Sequence, residues 1–207
     1  MVWILGGVGV GHDGRMTHAA LFRHQFWGEG TYELAIEVGS TDDARLQAVL
    51  DAVWGAAGVE GCYGHKDREP EEQETAPRTV AALEEFGHLL GRVRLPSGEL
   101  VVCDVTAVRG GDDSGDWLAF GVPLSALRQA GAEFEDGPYF RSAAADAWLA
   151  GIGRDAYREA SFSLGLIGWS VSGLTDAETL GGVLPEKRGM AYLLPSGGVL
   201  RYGAVND

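Results

Sequence analysis

The residues able to hold a metal or carry out proton transfer are few, and their spacing limits what they can do. Cys62-x-x-His65 has half the spacing of a zinc site. The other half would have to be supplied by His88 and Cys103, which fall on separate predicted elements. The competing reading is two small apolar cysteines in the core, since a free thiol behaves as a small hydrophobe. His12, His18 and His24 crowd the front of the chain. In a strand His18 and His24 stand ~20 Å apart, and in a helix they point to roughly opposite sides, so they do not chelate one ion together. His12 and Asp13 remain candidates for a ligand-dependent or metal-dependent enzyme site, as does the Cys62, His65, His88 and Cys103 group.

Other motifs are incomplete. Gly9-Val-Gly11-His-Asp-Gly14 matches the bare dinucleotide-binding pattern after an apolar run. No acidic residue ends a second strand about 20 residues on, where a ribose contact is needed. A glycine-rich hairpin turning at Asp13-Gly14 is the reading retained. Gly168-Trp-Ser170-Val-Ser172 lacks the final glycine of a nucleophile elbow, and Ser170 is expected inside an apolar strand. Asp112-Asp-Ser-Gly-Asp116 departs from calcium-loop spacing and is expected to be a solvated turn. Glu69, Glu71, Glu72 and Glu74 form a like-charge run with no companion base for acid-base catalysis.

Charge is the strongest global feature. Thirty acidic residues face sixteen basic ones, a formal net charge of -14, and only Lys66 and Lys187 are lysines. Such a surface repels nucleic-acid phosphates and anionic membranes and attracts basic partners. No window approaches the ~20 apolar residues of a membrane helix. Met-Val-Trp-Ile-Leu-Gly-Gly lacks a basic leader and reads as a first strand. Two cysteines are too few for a disulfide framework, so the expected setting is the cytoplasm.

The elements that must position these groups are better defined. Tyr32–Val38 alternates apolar and acidic residues as a half-buried strand does, and Gly39 breaks it. Ser40-Thr-Asp-Asp43 then supplies a helix cap, followed by an apolar stripe at Leu46, Val49, Leu50, Val53, Trp54 and Ala57. A short strand at Val59–Tyr63 leads to a polar, proline-bounded loop over residues 66–77, expected to be mobile. A short helix over Thr79–Phe86 follows. Two hairpins turn at Pro96-Ser-Gly98 and Pro195-Ser-Gly-Gly198 by what looks like the same turn chemistry. Between them lie a Trp117–Val122 strand, a helix after Pro123, a longer helix capped by Ser142 and an apolar strand at Phe162–Val171. Thr175-x-x-Glu178 is a capping-box pattern for one more short helix.

The expected fold is a single α+β domain spanning residues 1–207, a mostly antiparallel sheet with three to four helices. The expected function is a non-enzymatic interaction protein, an inhibitor or immunity-type module for a basic protein partner, with no cofactor and no nucleic-acid or membrane partner. Its binding residues would be Glu69, Glu71, Glu72 and Glu74 of the acidic loop, with the aromatic pair Tyr139 and Phe140 as anchors.

Overall fold

The computed structural model describes residues 18–39, 41–111, 115–135 and 139–207. The glycine-rich 6–14 stretch with His12 and Asp13, and Asp112 to Ser114, lie outside them. Among the described residues eight strands form one antiparallel sheet: β1 (Thr31–Glu37), β2 (Glu60–Tyr63), β3 (Leu89–Arg94), β4 (Leu100–Val108), β5 (Trp117–Pro123), β6 (Leu164–Trp169), β7 (Ala191–Ser196) and β8 (Val199–Gly203). Their spatial order is β2-β3-β4-β5-β1-β6-β7-β8. β1 therefore sits inside the sheet, antiparallel to β5 on one side and β6 on the other. Among the described residues five α-helices accompany the sheet: α1 (Asp43–Ala57), α2 (Val80–Phe86), α3 (Leu124–Gln129), α4 (Ala143–Glu159) and α5 (Ala177–Leu180). The result is one α+β domain with one helix more than expected, the short α3 and α5 both being full helical segments.

The first sheet face carries the main core. Leu46, Val49, Leu50, Val53 and Trp54 of α1 are buried, as their three- and four-residue spacing requires, each contributing ~1.5–3 kcal/mol of transfer free energy. Asp42 caps α1 by accepting from the Ala44 amide, and Gly58 closes it in a left-handed conformation. α4 packs on α1 and lies across β1 and β6. Its buried stripe includes Leu149, Ile152, Gly153 and Ala156. At Gly153 an added Cβ would stand 2.3 Å from Leu193 Cδ1, so the glycine sets how closely α4 approaches the sheet.

Among the described residues the second face is covered at its two ends. Residues 18–20 and 24–29 form two short 3-10 turns, not the return strand of a hairpin and not an α-helix. They bring Phe22 and Phe26 over β4 and β5. At the other end Val171 and the α5 region close over Leu164, Leu166 and Tyr192. Between the two covers the described residues leave a cleft whose floor is the sheet.

Several local expectations change. Ser170 lies beyond the end of β6, not inside a strand, and adopts a left-handed backbone with φ 49°. α5 is capped by Asp176 rather than Thr175, because the Asp176 carboxylate accepts from both the amide and the hydroxyl of Thr179. The two Pro-Ser-Gly turns differ. Pro96 and Ser97 lie in the loop of the first hairpin, whereas Pro195 and Ser196 belong to β7, leaving Gly197-Gly198 as the turn.

Candidate functional site

The open part of the second face is a cleft of about 340 Å³ lined by Glu33, Thr106, Val108, Trp117, Ala119, Ser170 and Ser172. Strand register builds it. Three rows cross β4, β5 and β1 in order: Asp104–Gly121–Glu33, Thr106–Ala119–Ala35 and Val108–Trp117–Glu37. Small residues occupy the middle of the first two rows, so the sheet is hollow there. A Cβ at Gly121 would stand 2.9 Å from Asp104 Oδ1 and 3.0 Å from Thr31 Cβ, and would fill the head of the hollow. The turn after β6 forms the facing wall. Ser170 donates its amide to the Thr31 carbonyl, and Ser172 reaches the carboxylate of Glu33 with both amide and hydroxyl.

Two buried carboxylates stand at the head of this cleft, on either side of Gly121. Glu33 is 6% exposed and Asp104 5%. Glu33 accepts from Ser172 N at 2.8 Å, Ser172 Oγ at 2.9 Å and Thr31 Oγ1 at 3.0 Å. Neutral donors therefore hold it, and among the described residues no base pairs with it. Asp104 has a base: Lys66 Nζ lies 3.4 Å from Oδ2 and 4.3 Å from the centre of the Trp27 ring. Burial nevertheless pushes the Asp104 carboxyl up to about 6, with the Lys66 charge opposing that rise and Glu33 adding to it.

The alternation along β1 is that of a strand with Glu33 on its solvent side, yet Glu33 is buried, and β4 is a mostly apolar run that carries Asp104. The signal available in the sequence was Asp104 itself, one carboxylate within Leu-Val-Val-Cys-Asp-Val, which has to be satisfied once the strand is internal.

The residues expected to bind are placed elsewhere. Glu69 accepts from the amides of Phe22 and Arg23, Glu72 pairs with Arg23, and Arg92 lies beside Glu69 and Glu71. The Gln73 side chain adds hydrogen bonds to the His65 amide, the His65 carbonyl and the Arg68 carbonyl. Three of the four loop carboxylates are thus engaged inside the chain, and Glu74 alone of the four is left without an ion pair among the described residues. Tyr139 is 61% exposed, while Phe140 packs edge-on against Trp169 at 4.9 Å with the Arg128 guanidinium over its ring.

The Cys62, His65, His88 and Cys103 group does not assemble. Cys103 belongs to the main core beside Gly91, while His88 lies beside His65 and Lys66. Among the described residues no three metal-ligating side chains converge. Burial raises the Cys62 thiol to about 11 and Cys103 well above its ordinary value, so both stay protonated and weakly nucleophilic at neutral pH. Asp116, expected in a solvated turn, is fully buried and accepts from Gly110 N, with Arg109 Nε 3.2 Å away. Ser170 has the strained backbone of a nucleophile, yet its Oγ makes no hydrogen bond to a base among the described residues.

No family model, no curated protein and no solved structure matches the chain. No described helix is long and apolar enough to cross a membrane.

Proposed function

We propose that this chain is a non-enzymatic binding protein for a basic protein partner, of the inhibitor or immunity type. The observation that carries the reading is how its charges are spent. Arg23, Arg78, Arg92, Arg94, Arg109 and Arg128 are all ion-paired with carboxylates of the same chain. Arg45 and Arg188 are turned onto backbone carbonyls. By contrast Glu74, Glu85, Glu99, Glu133, Glu159 and Glu178 form no ion pair among the described residues. Among the described residues, carboxylates without an ion pair therefore outnumber basic residues without one, such as Arg68, Arg154 and Arg201, and they contribute to the net charge of -14. A partner with complementary charge gains encounter rate and orientation from that field.

The pairing of Glu69, Glu71 and Glu72 with groups of the same chain moves the proposed contact away from the acidic loop. Exposed Tyr139, beside the Phe140–Trp169 pair, supplies an aromatic anchor at a second position. Free thiols at Cys62 and Cys103 support a cytoplasmic setting.

The test is affinity enrichment from a cell extract on immobilised protein, quantified against an unrelated protein of the same net charge. The reading expects a specific basic protein, retained at low salt and released as ionic strength rises. Equal enrichment of basic proteins on the control would sink it.

A further inference from the structure

We infer that the cleft between the two covers of the second sheet face receives a single lysine or arginine side chain. The inference rests on the proposal of a basic partner and assigns that partner's point of insertion. Among the described residues the cleft lining combines one buried carboxylate, one indole, two apolar side chains and three hydroxyls, with no cationic side chain. Each group has a counterpart on a long basic side chain. Glu33 lies at the inner end with Ser172 beside it, so an ammonium or guanidinium arriving there meets a carboxylate and a hydroxyl oxygen. Trp117 presents an indole in the same cleft, the aromatic surface that attracts a desolvated cation most strongly. Val108 and Ala119 offer apolar surface to a methylene stem. A volume of about 340 Å³ is at the small end for a ligand site, suited to one side chain or a small amine.

The nearby cation does not compete. Lys66 is held by Asp104 and by the face of Trp27, and it does not line the cleft. Asp104 is thus neutralised from within the chain, whereas the donors to Glu33 among the described residues are all neutral. Val108, 64% exposed, stands at the lip where an incoming side chain would enter.

The experiment is an NMR titration of the whole chain with Nα-acetyl-lysine methylamide, its arginine counterpart and the uncharged norleucine counterpart. Alongside it, a lysine- and arginine-rich peptide is titrated as a test of the broader reading. The expected result is millimolar binding of the two basic compounds, with the Trp117 indole and Ser172 amide resonances moving together. Norleucine should leave them in place. Glu33→Gln keeps the shape and an acceptor oxygen for Ser172, and should weaken binding at least tenfold. Val108→Lys alters only an exposed lip position and should weaken it comparably. Basic compounds that bind equally well to both folded variants overturn the cleft assignment while leaving the basic-partner reading intact. Norleucine binding as well as lysine overturns it too, by making the cleft an apolar site. If the basic peptide also fails to bind, the broader reading falls with it.

Discussion

Replacing Asp104 with asparagine should stabilise the protein at pH 8, although it removes half of an ion pair. Movement of the Asp104 titration from its ordinary 3.8 to about 6 is worth ~3 kcal/mol against the charged form in the folded state. Between those two pH values the folded chain binds more protons here than the unfolded chain. This site therefore contributes stability that is fully present below pH ~4 and is lost as pH rises through about 6. His88 works in the opposite direction. Burial, reinforced by Lys66, lowers it from 6.5 to about 4, so its contribution is present above pH ~6.5 and is lost as pH falls through about 4. The ring is only about half buried, and after solvent screening this amounts to ~1–2 kcal/mol. Over pH 4–6.5 the two slopes partly cancel in the native protein. Asparagine resembles the neutral acid, so Asp104→Asn should gain ~1–3 kcal/mol at pH 8 and little at pH 4. The variant should then lose stability on acidification more steeply than the native chain, because His88 acts unopposed. Urea unfolding at half-unit pH intervals measures both effects. A variant less stable than native at pH 8, with the difference vanishing at pH 4, would show instead that the Lys66 pair outweighs desolvation.

Three other perturbations have defined outcomes. Tyr32→Phe removes the 2.6 Å hydrogen bond from the phenol to Asp146 and leaves a buried carboxyl without that donor, which should cost ~1–3 kcal/mol in chemical denaturation. Gln73→Ala releases the three side-chain hydrogen bonds that tie residue 73 to His65 and Arg68, so amide exchange across residues 65–73 should accelerate while global stability falls by ~1–2 kcal/mol. Ser170→Val places a β-branched residue at φ 49° and should destabilise by ~2 kcal/mol. Ser170→Gly relieves the strain and should stay within ~1 kcal/mol of native, a contrast readable in thermal melts.

What was legible in the sequence follows the physics of periodicity. β1 and α1 were readable because one face of each is strictly apolar, and Leu34, Ile36, Val49 and Val53 are all fully buried. The second face was not readable. Its covers are two 3-10 turns at residues 18–29 and the segment after β6, neither of which repeats apolar residues at a regular step. A cover of that kind leaves no pattern, so Glu33 looked solvent-facing and the cleft could not be placed. Asp104 and the end of β6 at Ser170 were illegible for a related reason. An apolar run conceals both a buried carboxylate that is satisfied from another element and the point where the strand ends. The acidic loop shows the converse: charge density reads as solvation, but Glu69, Glu71 and Glu72 find cations and amides contributed by Arg23, Arg92 and the Phe22 turn, all distant in sequence.

The measurement closest to the central claim is fluorescence anisotropy of a labelled lysine- and arginine-rich peptide titrated with the protein at two salt concentrations. A charge-matched acidic protein serves as reference. Binding should be saturable and one-to-one, tighter than to the reference, and should weaken steeply between ~50 and ~200 mM salt, as screening of a charged interface requires. Binding no tighter than to the reference would contradict the basic-partner reading, and the -14 charge would then serve solubility alone.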